Sequence, residues 1–318
     1  MTDQTAKTEQ AEQVDQPARP RRRRRSRIGT WGPGLLLISP SIVLIGIFVY
    51  GLIGQNIKLA MSDKHTPIDP DTFVGLDNFE ELLTEDRFQH ALTNLAIYTV
   101  AFLVGTMFFG LLWAVLLERG IRGEGVFRAI YLFPMAVSFV AAGVVWRWLL
   151  NSAEGDDAAG INRLLQIVGL DALQNSWWVA PNWGMVAIAL PAIWQLSGYM
   201  MALFLAGFRS IPDELREAAR MDGASEFQLY RHVLFPQLSP VALAALIIAG
   251  HMSLKVFDII YVIARNTYQV EVPATYMWQV QNLQFDPAKA AAIATVLLVV
   301  VAVLIVPYLV YSHRAEKR

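Results

Sequence analysis

His251, Lys255 and Asp258 stand four and three residues apart in a stretch that is otherwise almost wholly apolar. On one continuous helix that spacing places them on one face. An ammonium and a carboxylate on neighbouring turns can pair, which lowers the cost of holding either in an apolar medium. The same groups can form a structural ion pair with another helix or bond the hydroxyls of a polar ligand, and Ser253 lies between them. A second cluster is Trp194, Gln195, Ser197 and Tyr199. Gln195 and Tyr199 are four apart and share a face, so an amide and a ring can meet one ligand, the amide on hydroxyls and the ring on a C–H face. Bonding between helices is the other use of the same side chains. Pro191, just before them, can kink the helix and free a carbonyl. Asn94, Thr99 and Ser138 are weaker candidates of the same kind.

Much familiar chemistry has no residues here. The chain holds no cysteine, which removes disulfides, zinc–thiolate sites and thiol catalysis. Its five histidines are scattered without metal-ligand spacing. No nucleophile motif appears. A phosphate-binding loop needs Gly-x-x-x-x-Gly-Lys-Ser/Thr, and the run Gly120-Ile121-Arg122-Gly123-Glu124-Gly125 lacks both the lysine and the hydroxyl, so it reads as a turn. Neither a catalytic residue, a metal ligand nor a cofactor is expected.

The elements that must carry these residues are long and apolar. Of 318 residues, 55% are hydrophobic and 17% charged, against about 25% charged in a typical soluble chain. No Asp, Glu, Lys or Arg occurs between Arg27 and Lys58, Arg87 and Glu118, Arg128 and Arg147, Asp171 and Arg209, Arg231 and Lys255, or Lys289 and Arg314. Each gap can hold the roughly 20 apolar residues of a membrane-crossing helix. The predicted spans are 32–57, 92–117, 128–150, 183–206, 238–262 and 287–311. The fold class expected is all-α, with six transmembrane helices.

Positive charge orients them. Arg19, Arg21–Arg25 and Arg27 precede span one; Arg119, Arg122 and Arg128 follow span two; Arg209, Arg216, Arg220 and Arg231 follow span four; Arg314, Lys317 and Arg318 follow span six. The intervening connections are acidic, with Asp69, Asp71, Asp77, Glu80, Glu81, Glu85 and Asp86 in the first and Glu154, Asp156, Asp157 and Asp171 in the third. Both termini are therefore expected in the cytoplasm. The run Arg21–Arg25 fits a topology signal better than a nucleic-acid or lipid site, within a basic disordered tail over residues 1–30. The membrane domain is expected over residues 31–318, with span one uncleaved.

Three connecting segments carry local signals. Asp77 is placed to cap a short helix, with Glu80 completing a capping box. Gly160-Ile161-Asn162-Arg163-Leu164-Leu165 suits a short interfacial helix, and Trp177, Trp178 and Trp183 suit headgroup anchoring. The fourth connection, about 209–237, reads as two short helices meeting at a glycine. Pro212 suits a first turn, Asp213 and Glu214 its positive end, Gly223 a left-handed stop, and Ser225 the cap of the second helix. At this length, mixing charge with apolar side chains, it reads as a docking surface or as a solvated link.

Glu217-Ala218-Ala219, then Gly223, then Val233 and Phe235-Pro236 resembles the cytoplasmic loop of bacterial ATP-binding-cassette import permeases. The family pattern is Glu-Ala-Ala, three residues, Gly, nine residues, Ile, one residue, Leu-Pro; Val233 and Phe235 replace its Ile and Leu. Gly75-Leu76-Asp77-Asn78-Phe79, Tyr131-Leu132-Phe133-Pro134, Gly160-Ile161-Asn162, Asp222-Gly223-Ala224 and Phe257-Asp258-Ile259-Ile260-Tyr261 are similar to its carbohydrate branch, the relatives of maltose and glycerol-phosphate permeases. The resemblance covers almost the whole chain after about residue 30. After span five the chain departs from it, with Ala264-Arg265-Asn266-Thr267-Tyr268-Gln269 where a Thr-Gly-Gly-Pro-like turn is common.

The resemblance implies a type I importer-like permease in a bacterial or archaeal cytoplasmic membrane. Its partners would be two ATPase subunits, a second and distinct permease, an extracytoplasmic sugar-binding protein and membrane lipid, with no nucleic acid. Glu217, Ala218, Ala219, Asp222 and Gly223 would form the coupling helix that enters the ATPase. An ion-gradient transporter would need more membrane acids than Asp258, and repeat symmetry. A non-transport scaffold is the alternative from another class.

Overall fold

The computed structural model describes residues 27–66, 68–181 and 183–315. The tail expected over residues 1–30 lies outside them except for its last four residues, which begin a helix at Arg27. The chain divides into two units after Ile53. In the first, α1 (Arg27–Ile45) runs through a wide π-helical turn at Gly46–Gly51 into α2 (Leu52–Ala60), whose later residues belong to the second.

The second unit is built from α3 (Asp77–Thr84), α4 (Asp86–Glu118), α5 (Glu124–Leu132), α6 (Phe139–Leu149), α7 (Gly160–Ile167) and α8 (Gly184–Ser210). It continues with α9 (Asp213–Met221), α10 (Glu226–Leu229), α11 (Phe235–Leu254), α12 (Asp258–Ala264), α13 (Pro273–Gln279) and α14 (Pro287–Ala315). Among the described residues the only pairing of extended backbone is one isolated bridge, Ser62 with Phe73.

Helix α8 is apolar all round and lies at the centre, with Ile188, Met200, Met201, Phe204 and Phe208 sealed from solvent. Helix α4 packs along it through a stripe at helical spacing: Leu95, Tyr98, Phe102, Thr106, Gly110, Ala114 and Leu117. Its opposite face, with Val100, Val104, Phe108 and Leu116, is apolar yet exposed, which is the pattern of a helix that meets lipid.

Among the described residues four helices are long and apolar enough to cross a membrane: Leu36–Ala60, Asp86–Glu118, Gly184–Ser210 and Glu226–Leu254. The predicted third span is not one helix. It breaks after the 3₁₀ turn Phe133–Ala136, and its halves meet at 96°. Pro134 cannot donate within that turn, and Val137 and Ser138 take extended ψ angles of 135° and 138°. If the bent pair counts as one span the number is five; α14, Pro287–Ala315, is a further long helix, and its stretch Pro287–Val303 is apolar.

The fifth span also differs from the expectation. It begins at Glu226, inside the hairpin, and ends at Leu254 rather than residue 262. Pro236 does not stop it, because the wide turn Tyr230–Leu234 just before absorbs the missing N–H. Asp258 then opens α12, where a carboxylate favours the positive end of the helix.

The connections are braced by buried asparagines. Asn78 ties α3 to the end of α2: its Nδ2 donates to the Ala60 and Ser62 carbonyls at 2.9 and 2.8 Å. Leu76 holds the cap position of α3, and Asp77 is only its first residue, with no side-chain cap bond. Asn162, fully buried, donates to the carbonyls of Asn151, Ala153 and Asn175 and accepts from the Asn175 N–H and the Trp177 indole. Trp177 is thus tied into the protein, and of the three tryptophans only Trp183 is largely exposed.

His65 links the first connection to the start of α14. Its Nδ1 lies 2.9 Å from Asp286 Oδ2, and the Ala288 N–H donates to the Lys64 carbonyl. The hydrogen bond to Asp286 raises the imidazole pKa above its ordinary value, against a smaller desolvation effect. A raised pKa contributes stability below the ordinary histidine value, and that contribution is lost as pH rises through the raised one. His65→Gln is therefore expected to lower the melting temperature in detergent at about pH 6 and to leave it near wild type at about pH 9. An equal deficit at both would exclude the charged contact.

Candidate functional site

The break between α11 and α12 turns His251, Lys255 and Asp258 toward one cavity of about 270 Å³. Lys255 is the residue that ends α11, so the three do not share one helix face as their spacing suggested. Lys255 and Asp258 do not pair either: among the described residues neither has an ion-pair partner. His251 Nδ1 is buried without a hydrogen-bond partner. Tyr98 and Phe102 of α4 and Phe139 of α6 supply aromatic walls. The combination offers a cation, an anion and an imidazole against aromatic faces, which suits a hydroxyl-rich ligand. Ser253 stays out of it, because its hydroxyl donates to the Gly250 carbonyl at 2.8 Å.

The cluster on α8 lies elsewhere. Gln195 is 1% exposed, and its amide donates to the Val137 carbonyl at the break between α5 and α6. Trp194 faces outward beside Trp146, with ring centroids 6.0 Å apart. With Ser197 it lines a different, mainly apolar cavity of about 400 Å³. Tyr199 is half-buried and packs against the core. The structure therefore brings His251, Lys255 and Asp258 together and keeps Trp194, Gln195, Ser197 and Tyr199 apart from them. Tyr98, Phe102 and Phe139 were missed. The one signal for the first two was their four-residue spacing on the stripe of α4 that faces the core.

The second site is the hairpin between spans four and five. Pro212 precedes α9 rather than entering its first turn, and Asp213 and Glu214 fill that turn. The helix ends in a Schellman motif: the Gly223 N–H donates to Arg220 and the Ala224 N–H to Ala219, both at 3.0 Å. This requires the positive φ of 80° that Gly223 adopts. Ser225 then caps the next helix in a reciprocal box with Gln228. Glu217, Ala218, Asp222 and Gly223 are exposed, while Ala219 packs inward. Met221 and Phe227, 87% and 70% exposed, put large apolar side chains beside that charge. No hydrogen bond or ion pair engages Glu217 within the described residues.

Residues 106–314 match the family described as binding-protein-dependent transport system inner membrane component. The chain belongs to this family. The matched stretch holds the hairpin, α8 and both halves of the α11–α12 break. The chain is 37% identical to a probable ABC transporter permease protein of Pyrococcus horikoshii, over 89% of its own length and 97% of that protein's. It is 34% identical to the xylose/arabinose import permease of Haloferax volcanii, over 86% and 85%. Among solved structures it is similar to a chain of a bacterial alginate ABC transporter in complex with alginate pentasaccharide-bound periplasmic protein. That likeness has a TM-score of 0.69 and 26% identity, and covers 87% of this chain and 94% of the other.

Proposed function

We propose that this chain is a permease subunit that moves a sugar or sugar derivative, delivered by an external binding protein, across the cytoplasmic membrane. The observation that carries the reading is similarity over most of the chain to permeases named for sugars, among them the xylose/arabinose relative and a trehalose/maltose permease of Thermococcus litoralis, 31% identical over 72% of this chain. The chain would cross six times with both termini cytoplasmic, as the alternation of basic and acidic connections supports. ATP hydrolysis would fall to two separate cassette subunits. They would dock on Glu217, Ala218, Ala219, Asp222 and Gly223, and a second permease would complete the path. The cavity at the α11–α12 break would hold the sugar, with Lys255 and Asp258 on its hydroxyls and Tyr98 or Phe139 on its C–H face.

Purification of the tagged chain from its own membranes tests this reading. ATPase, binding protein and second permease are expected to be recovered, and vesicles holding the complex are expected to take up sugar on ATP. Asp258→Asn is expected to cut uptake at low sugar about tenfold with the complex intact, the loss of one charged hydrogen bond. Wild-type kinetics would remove this cavity from the path. Reporters fused after Arg122 and Arg220 are expected inside and those at Asp71 and Asp157 outside; an inside signal at Asp71 would end the six-span arrangement.

A further inference from the structure

Helix α4 ends in Glu118, and its two carboxylate oxygens are taken by two different arms of the hairpin. Oε1 accepts from Arg216 Nη1 of α9, and Oε2 accepts from the Tyr230 hydroxyl at 2.7 Å. The other Nη of Arg216 donates to the Phe208 carbonyl in the last turn of α8 at 2.9 Å. The Arg119 guanidinium sits 5.7 Å over the Tyr230 ring. The side chains of Glu118 and Arg216 are only 9% and 14% exposed, so water does not compete strongly for these bonds. The Glu118 carboxylate thereby ties the end of α4 to both arms of the hairpin, and Arg216 ties the end of α8 to the first of them.

The neighbouring residue is used in the opposite way. Arg216 points in and is held; Glu217, one step along α9, points out and has no internal partner. A partner that grips Glu217 therefore grips a helix whose inner face is already bolted to Glu118. The far end of the lever is in view as well. Tyr98 and Phe102, which wall the α11–α12 cavity, lie on the same α4 that Glu118 terminates. At about 1.5 Å per residue they stand roughly 25–30 Å from it along one unbroken helix.

We propose that Glu118, acting through Arg216 and Tyr230, is a positioning residue that passes displacement of the hairpin into α4 and α8. The proposal rests on the reading of residues 209–237 as the ATPase-coupling segment. It goes beyond that reading by naming the contact through which movement leaves the hairpin. Loss of the contact would leave ATPase docking on the outer face in place but would let the hairpin move without the spans. Hydrolysis would then continue while transport falls.

The test is sugar moved per ATP hydrolysed, measured on the intact complex in vesicles with a loaded binding protein outside. Glu118→Gln, which keeps shape and removes charge, is expected to lower that ratio about tenfold, with ATPase recovery near wild type. Tyr230→Phe, which removes one hydroxyl, is expected to lower it less. Glu118→Gln combined with Arg216→Met is expected to do less damage than the two single changes added together, because they share the Glu118–Arg216 contact. A role confined to holding the fold would reduce uptake and hydrolysis in parallel and leave the ratio unchanged; that result overturns the proposal. So does a wild-type ratio in Glu118→Gln. If Glu118→Gln does not assemble, Tyr230→Phe decides by the same ratio. Failure of the wild-type chain to recover any ATPase would instead remove the coupling reading itself, and the proposal with it.

Discussion

Gly223→Val is expected to insert normally and to lose most ATP-driven uptake. Gly223 sits at φ +80°, and a Cβ built there meets nothing within 4 Å. The penalty is therefore in the backbone and not in a clash. It is about 1 kcal/mol for alanine, roughly fivefold in the population of the native turn, and larger for a β-branched residue. A valine relaxes that strain by leaving the left-handed region. Doing so breaks the bond from the Ala224 N–H to the Ala219 carbonyl and turns the Ser225-capped helix relative to α9. Glu217 on one arm and Phe227 on the other then cease to form one surface. Gly223→Ala is expected to keep an intermediate share of uptake, and Gly223→Val less than about a tenth. Membrane level, ATPase recovery and uptake are to be measured on the same preparations. Full uptake with normal ATPase recovery in the valine variant would contradict the coupling role of the hairpin.

The hairpin was legible because its conformation is fixed by residues next to one another. A glycine after a helix, a serine at the start of the next and acids in a first turn each act within one turn. The core helices were legible for a related reason: a run without charge from Arg87 to Glu118 leaves few alternatives. The break in span three was hidden by the same rule, since the charge-free run from Arg128 to Arg147 reads as continuous. Pro134 was the signal, but a proline alone does not tell a kink from a stop. In span five, Lys255 and Asp258 were read by their spacing, as one face of a helix. In the structure Lys255 is the residue that ends one helix, and Asp258 begins the next.

Gln195 and Glu118 mark the other limit. A break inside a span frees backbone carbonyls where no water reaches them, and some side chain must then donate. Gln195 does this for Val137, 58 residues away in sequence. Its place in an apolar helix suggested either a ligand site or a bond between helices; the structure shows the second, and no local pattern points to the carbonyl it serves. Glu118 meets Arg216 across 98 residues and Tyr230 across 112, so in the sequence it served only as the charge that bounds span two. Both depend on which helices pack together, and periodicity does not specify that.

The packing of α8 against the broken span yields the sharpest expectation about stability. At Gly198 a Cβ would sit 1.9 Å from the Tyr131 carbonyl oxygen, 2.7 Å from its carbon and 3.2 Å from the Leu132 nitrogen. These are backbone atoms, so no rotamer change relieves the clash. In Gly198→Ala, α5 must draw back from α8. The bond from Gln195 to Val137, less than one turn away on α8, is then strained as well. Overpacking of this kind costs about 1–3 kcal/mol, and the strained bond adds about 1 more. Gly125→Ala is the control. There, on the exposed side of α5, an added Cβ meets nothing within 4 Å, and the cost is expected to stay below about 0.5 kcal/mol. Gly198→Ala is thus expected to lower both the melting temperature in detergent and the steady-state level in the membrane, with Gly125→Ala close to wild type in both. Equal behaviour of the two variants would mean that the approach of Tyr131 to Gly198 does not hold the broken span in place.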